Sequence, residues 1–280
     1  MRNTVRIGSE AHKELFCRSF VATHREFDPE KLPWPTLDGP ALDRLRGLPF
    51  WEEAIATETE AGVKITTYAA QVRDPLLREA IALQGTEEFR HAALLSTLVA
   101  RYDIRVGQRP SAQPPADPEQ AFVEIGYGEC IDSFFAFGLF EVARQSGFFP
   151  EPLLDVVEPI VDEEARHIVF FVNWEAYQRC HRRRGLAPLR ALRAMRYYSR
   201  AVRRRLGAFR SSDGEGFTMS ASSSIRVDLT PKTFLRLCLR ENDRRLAGFD
   251  GGLLRPRFVP ALARLALRSL SPFARRAKGQ

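Results

Sequence analysis

The chain has 280 residues, 44% of them apolar and 28% charged, with a mean hydropathy of -0.27. That profile is globular and argues against disordered, collagen-like and membrane-spanning classes. The formal charge of +7 joins two opposed parts: residues 1–180 hold 18 Lys and Arg against 29 Asp and Glu, a balance of -11, while residues 181–280 hold 24 against 6, a balance of +18. Either the two parts pack on each other, or the basic part meets an acidic protein, an anionic membrane surface or nucleic acid. DNA is disfavoured because no recognition motif accompanies the charge. No stretch approaches the roughly 18 apolar residues of a spanning helix, and the start MRNTVRIGSEAHKEL lacks the apolar run of a secretory leader. Cys17, Cys130, Cys180 and Cys238 lie far apart without a C-x-x-C pair. A reducing, cytoplasmic setting is the expectation.

In chain order, residues 8–26 read as a short helix, and the proline-rich DPEKLPWPTLDGP that follows reads as an irregular connection. Residues 48–71 form a long helix in this reading, since Trp51, Ile55, Glu58, Gly62, Ile65 and Ala69 recur at three- and four-residue steps. Asp74-Pro75 is an N-cap followed by proline at the first helical position, and the second long helix runs to about residue 101. The segment GQRPSAQPPADPEQ (residues 107–120) is too long for a tight turn and reads as a crossover between helices that are not side by side. A third long helix spans residues 119–146 and stops at Gly147; a fourth follows FFPEP to about residue 184, weakened at Pro159. Four long helices joined short, long, short predict an all-α, ferritin-like four-helix bundle at residues 48–184. Residues 1–47 form its N-terminal segment and residues 185–280 a basic helical extension. In the extension, residues 188–206 read as an amphipathic basic helix, residues 211–224 as a flexible loop, and residues 231–248 and 256–276 as helices that close one end of the bundle.

The chemistry concentrates in two pentapeptides, Glu87-Glu88-Phe89-Arg90-His91 on the second long helix and Glu163-Glu164-Ala165-Arg166-His167 on the fourth. Glu and His three apart share a helix face about one turn apart, so a carboxylate and an imidazole reach one metal ion. One Glu-x-x-His is weak evidence; two copies at the same offsets on alternate helices are not. A two-metal site needs one more carboxylate from each remaining long helix. If the first two helices are antiparallel about residue 73, Glu58 stands at the height of Glu88, on the stripe of Ile55, Gly62 and Ile65, whereas Glu60 lies on the polar face. On the third helix, Glu129 has the right height and lines up with Ile125 and Ala136, with Asp132, one turn away, as the fallback ligand or an outer-sphere acceptor. Glu141 falls two to three turns too near the connection. The expected ligands are therefore Glu58, Glu88, His91, Glu129, Glu164 and His167. Two divalent cations would cancel the four glutamates and leave both histidines neutral. Glu87, Arg90, Glu163 and Arg166 can form an outer shell that accepts the imidazole N–H groups across the bundle, or can be ordinary surface ion pairs.

Of the other histidines, His12 and His24 belong to the N-terminal segment; His24 can reach the bundle as an extra ligand, or has the packing role usual for a lone His. His181 lies about 21 Å along the helix from His167 and cannot join the site. Phe134, Phe135, Phe137 and Phe140 either line a dry pocket beside the ligands or are simply core, with Ser133 and Cys130 in the same region.

The paired E-E-x-R-H motifs resemble those of the ferritin-like di-iron carboxylate proteins. The Arg before each His is similar to the hydroxylase subunits of bacterial multicomponent monooxygenases and to the acyl-carrier-protein desaturases. The resemblance covers roughly residues 48–184 and implies two Fe ions, or an Mn/Fe pair, with O2 as co-substrate. It also implies an outer-shell place for Glu87 and Glu163, the acidic residues before each ligand Glu; Glu129 rests on spacing alone. The expected function is an oxygenase or oxidase that hydroxylates, desaturates or N-oxygenates an organic substrate, with an electron donor or reductase and possible homo-oligomerisation. An acidic carrier protein docked on the basic extension is one way to present that substrate. The alternative is a rubrerythrin-like bundle that oxidises iron or scavenges peroxide; zinc hydrolysis and a metal-free scaffold are weaker readings.

Overall fold

A computed structural model describes residues 5–107, 109–181, 195–200, 202 and 230–269. They form α1 (Glu10–Ala22), a 3-10 turn (Pro29–Lys31), α2 (Gly39–Arg46), α3 (Trp51–Ala69), α4 (Pro75–Arg101), α5 (Pro118–Ser146), α6 (Glu151–His181), α7 (Pro231–Leu246) and α8 (Phe258–Ser269), with no strand among the described residues. Residues 195–200 are also helical. No described helix is long and apolar enough to cross a membrane.

Local chemistry explains the boundaries of the long helices. Asp74 accepts from the backbone N–H groups of Leu76 and Leu77, with Pro75 at the first helical position, and Asp117-Pro118 repeats the arrangement at the start of α5. Gly147 ends α5 in the left-handed region at φ 61°, where a side chain would be strained. Helix α6 continues through Pro159.

Helix α3 packs on α4 and α5, and α6 packs on α4 and α5, so the four long helices form a ring with α4 and α5 on a diagonal. Tyr68 near the end of α3 stacks on Phe122 near the start of α5 at 5.0 Å between centroids, which makes these two antiparallel. The crossover at residues 102–117 therefore links two parallel, non-adjacent helices. Close approach of α3 and α4 uses glycine: a Cβ on Gly85 would lie 2.6 Å from Thr66, and one on Gly62 2.8 Å from Phe89.

Apolar side chains bury in two main clusters. One includes Ile65, Tyr68, Ile81, Phe122, Phe170, Phe171 and Trp174, with Phe16 and Phe20 of α1 in the groove between α4 and α6. The other, at the opposite end, joins Trp34, Leu45, Phe50 and Trp51 to Leu94, Leu98, Tyr102, Leu153 and Val156. Between them lies a layer of acids and histidines.

One expectation changes, and two open alternatives are resolved. The segment before the bundle is not wholly irregular: Asp38 caps α2, accepting from the Ala41 N–H at 2.8 Å, with Pro40 in the first turn. Phe134 and Phe137 are fully buried core, while Phe135 stacks on Phe234 of α7 and Phe140 lies beneath the Arg144 and Arg245 guanidinium groups. Phe135 and Phe140 thus hold α7. Where it is described, the basic extension pairs with the acidic body: Arg245, its side chain 2% exposed, reaches Glu158 and Asp162 on α6, each at 2.7 Å, and Arg240 reaches Glu141 on α5 at 2.8 Å. Most of residues 188–206, the loop at residues 211–224 and residues 270–276 lie outside the described residues.

Candidate metal centre

Six side chains from α3, α4, α5 and α6 converge on the polar layer. Glu88, His91 and His167 are buried; Glu58, Glu129 and Glu164 are half-buried. The imidazole rings of His91 and His167 face one another with centroids 5.6 Å apart. Around His91 Nδ1 stand Glu58 at 3.4 Å, Glu164 at 3.6 Å and Glu88 at 3.8 Å. Around His167 Nδ1 stand Glu88 at 3.0 Å and Glu164 at 3.7 Å. Glu58, Glu88, His91 and Glu164 form one group able to hold a metal ion, and Glu88, Glu129 and His167 form a second. Glu88 belongs to both groups, and Glu164 lies beside both imidazoles.

The opposite ring nitrogens are held crosswise. His91 Nε2 is 2.9 Å from Glu163 Oε2, and His167 Nε2 is 2.8 Å from Glu87 Oε2. Each arginine follows the same exchange: Arg90 donates to Glu163 at 2.5 Å and Arg166 to Glu87 at 2.6 Å. Glu87 and Glu163, both buried, thus each accept from the imidazole and guanidinium of paired motifs, with Nε2–H donated outward and Nδ1 turned to the cluster. Surface ion pairing does not describe them.

The residues present fit a pair of cations. His91 Nδ1, His167 Nδ1, Glu88 Oε1 and Glu129 Oε1 are buried and accept or donate no hydrogen bond. Leaving a buried polar atom unsatisfied costs about 1–3 kcal/mol, and cations held by the two groups would satisfy His91 and Glu88 in one, Glu88, Glu129 and His167 in the other. Without a cation, charge is balanced by protons. Burial, with Glu88 and Glu164 nearby, raises the Glu58 carboxyl to about 8, and the same causes hold Glu129 well above the usual carboxylate range. Burial opposes charge on His91, but Glu163 and Glu58 outweigh it and raise the imidazole to about 10. His167 is likewise raised well above its usual value, against burial, by Glu88, Glu164 and Glu87.

The N-terminal segment completes the site, and of its contacts only that of His24 was anticipated in the sequence. Arg166 donates to Thr23 Oγ1 at 3.0 Å and to the Phe20 carbonyl at 2.6 Å, and its guanidinium lies over the Phe20 ring; that of Arg90 lies over Phe27. His24 is not among the inner donors: its Nδ1 is 2.5 Å from Glu87 Oε1, behind His167. With Glu87 and Glu163 it makes a third acid and histidine group, outside the two above. Gln84, one turn before Glu88, donates to Glu129 at 3.4 Å, and Ser133 donates to Glu164 at 3.0 Å. Half-buried Asp132 belongs to none of the three groups; Ser133 takes the place on α5 that faces the cluster. His12 is a packing residue, bonded to Asn173 at 2.9 Å, and His181 stacks on Tyr177 away from the centre. All four cysteines are free, and Cys130 is buried beside Glu129 in sequence.

What the geometry establishes is an all-α bundle with a buried Glu/His cluster that could hold metal ions. Compared with known proteins, the chain matches no family model, no curated protein and no solved structure.

Proposed function

We propose that the chain is a ferritin-like dimetal-carboxylate oxidoreductase that uses O2 to hydroxylate, desaturate or N-oxygenate an organic substrate. Glu58 and His91 would serve one ion, Glu129 and His167 the other, with Glu88 and Glu164 between them. The observation that carries this reading is the pair of facing imidazoles, each with an unpartnered Nδ1 beside shared carboxylates. Carboxylate and imidazole donors suit iron or manganese, and such a pair supplies the electrons for O2 activation when bound. The chain's own residues prepare that chemistry. Glu87 and Glu163 fix the imidazole tautomers, Arg166 and Arg90 balance those carboxylates, Ser133 orients Glu164, and the apolar layers above and below limit water.

The half-buried Glu58, Glu129 and Glu164 favour a second reading, in which a polar edge admits ferrous ions and the centre oxidises iron or consumes peroxide without an organic substrate. Anaerobic loading with ferrous iron followed by O2 tests both. The first reading expects about two ions per chain and O2 uptake that stops after one turnover until a reductant is supplied; Glu88→Ala should lose both. Repeated oxidation of added ferrous ion, with ferric product accumulating, would favour the second. Loading of no more iron than a His91→Ala, His167→Ala double variant would overturn both.

A further inference from the structure

Helix α8 carries apolar side chains on two faces. Val259, Pro260 and Ala263 are buried against α7 and α5. On the other side Phe258, Leu262 and Leu265 are 38%, 49% and 58% exposed. At about 100° per residue these three fall within about 60° of one another, and Arg257, Arg264 and Arg268 form a row about a quarter-turn away. A helix that only had to close the bundle would need one apolar face.

A second segment brings its own apolar side chains to the same place. Tyr198 stacks on Phe258 at 4.3 Å between centroids. One turn either side of Tyr198, Met195 and Val202 are 57% and 43% exposed. The patch therefore runs from Met195 and Val202 through Phe258 to Leu262 and Leu265. Arg196 and Arg200 lie in the same segment, which adds to the arginine row of α8. Arg200 is 3.6 Å from Glu124, and Arg264 is 3.4 Å from Asp243, both loose pairs. Five large exposed apolar residues amount to about 400 Å², at the size where a contiguous patch marks an interaction site.

We propose that this face, Met195, Val202, Phe258, Leu262 and Leu265 rimmed by arginines, docks the protein on an anionic lipid surface. The charge argument is on the sequence itself: residues 181–280 carry +18. The geometric argument is that the apolar row lies on the exposed side of α8 with the arginines beside it. The apolar groups then enter the acyl boundary while guanidinium groups stay with lipid phosphates. An acidic protein would answer the charge but leave the protruding Leu and Met side chains without a cavity. The proposal does not depend on the metal reading.

Flotation of the full chain with phosphatidylcholine vesicles, and with vesicles containing about 30% phosphatidylglycerol, tests it at about 0.1 M and about 0.5 M salt. The expected result is binding to the anionic vesicles that weakens at high salt. The double variant Leu262→Asp, Leu265→Asp should bind at least about tenfold more weakly, and Arg257→Gln, Arg268→Gln should lose the preference for anionic lipid. All four positions are exposed, and circular dichroism checks that the fold persists. Failure of the wild type to float would overturn the proposal, as would equal binding to neutral vesicles or an unchanged Asp double variant. Wild type that ignores vesicles but forms a dimer, or captures an acidic protein, through Leu262 and Leu265 would overturn it in favour of that occupant.

Discussion

Loading the centre should expel protons in a countable number. Near pH 7 the metal-free chain holds protons on Glu58, raised to about 8, and on His91, raised to about 10, and Glu129 and His167 are shifted in the same direction. A metal ion binds the deprotonated forms only. Two divalent cations therefore displace at least two protons. Each proton makes the overall binding constant tenfold more favourable per pH unit, about 1.4 kcal/mol, so the product of the two constants should rise at least about 100-fold between pH 6 and pH 7. Above about pH 8 the dependence should weaken by one proton as Glu58 ionises unaided. Calorimetric titration with Mn(II) or Co(II) in two buffers of different ionisation enthalpy counts the protons. Release of fewer than two at pH 7, or an affinity flat between pH 6 and 8, would refute the charge balance inferred from the geometry.

Stability should fall with rising pH in the metal-free chain and lose that dependence when metal is bound. The raised His91 and Glu58 contribute stability in full below their ordinary values of 6.5 and 4.5, and this is lost as pH rises through about 10 and about 8. The melting temperature of the chelated chain should fall between pH 7 and 10, and that of the loaded chain should not. Replacing Glu87 by Gln weakens the acceptor behind His167, and should lower the affinity of one ion about 10–100-fold while the other binds as before, read from the absorption of a Co(II) titration. Arg245→Met strips Glu158 and Asp162 of their shared cation. Because both carboxylates are partly exposed and can turn to water, the loss in urea unfolding should be about 2 kcal/mol, below that for a fully buried pair. Gly126→Ala would place a Cβ 2.1 Å from the buried Phe171 ring and should destabilise by about 1–3 kcal/mol, seen as a lower denaturant midpoint at unchanged slope.

The long helices were legible because their ends carry local chemistry: Asp-Pro at the starts of α4 and α5, and Gly147 at the end of α5. The place of Glu58 was legible from helix rise alone, since two antiparallel helices about a short turn keep equal heights. On α5 the same geometry was ambiguous. Asp132 and Ser133 lie about −60° and +40° around the helix from Glu129, and only the tertiary position of α5 decides which faces Glu164. Gln84 had a usable signal, being four residues before Glu88 on the same face. Phe20 and Thr23 had none, because they reach Arg166 from more than 140 residues away, and His24, singled out as an extra ligand, reaches Glu87 instead. The direction of Phe135 and Phe140 depended on which residues of α7 meet them, since residues 231–248 were expected to pack on the bundle but no partner side chain was assigned. The place of α2 was marked by Asp38 and Pro40 inside a stretch whose prolines suggested only irregular chain.

The exchange of partners between the repeats has a consequence for assembly. Cut within residues 102–117, the chain would yield two hairpins, each with a complete pentapeptide and neither able to seat its own imidazole, since His91 needs Glu163 and His167 needs Glu87. Two copies trading hairpins across that crossover would regain every one of these bonds. A swapped dimer and the closed monomer are therefore equal in this inventory, and the reach of the crossover strand, rather than the centre itself, decides between them.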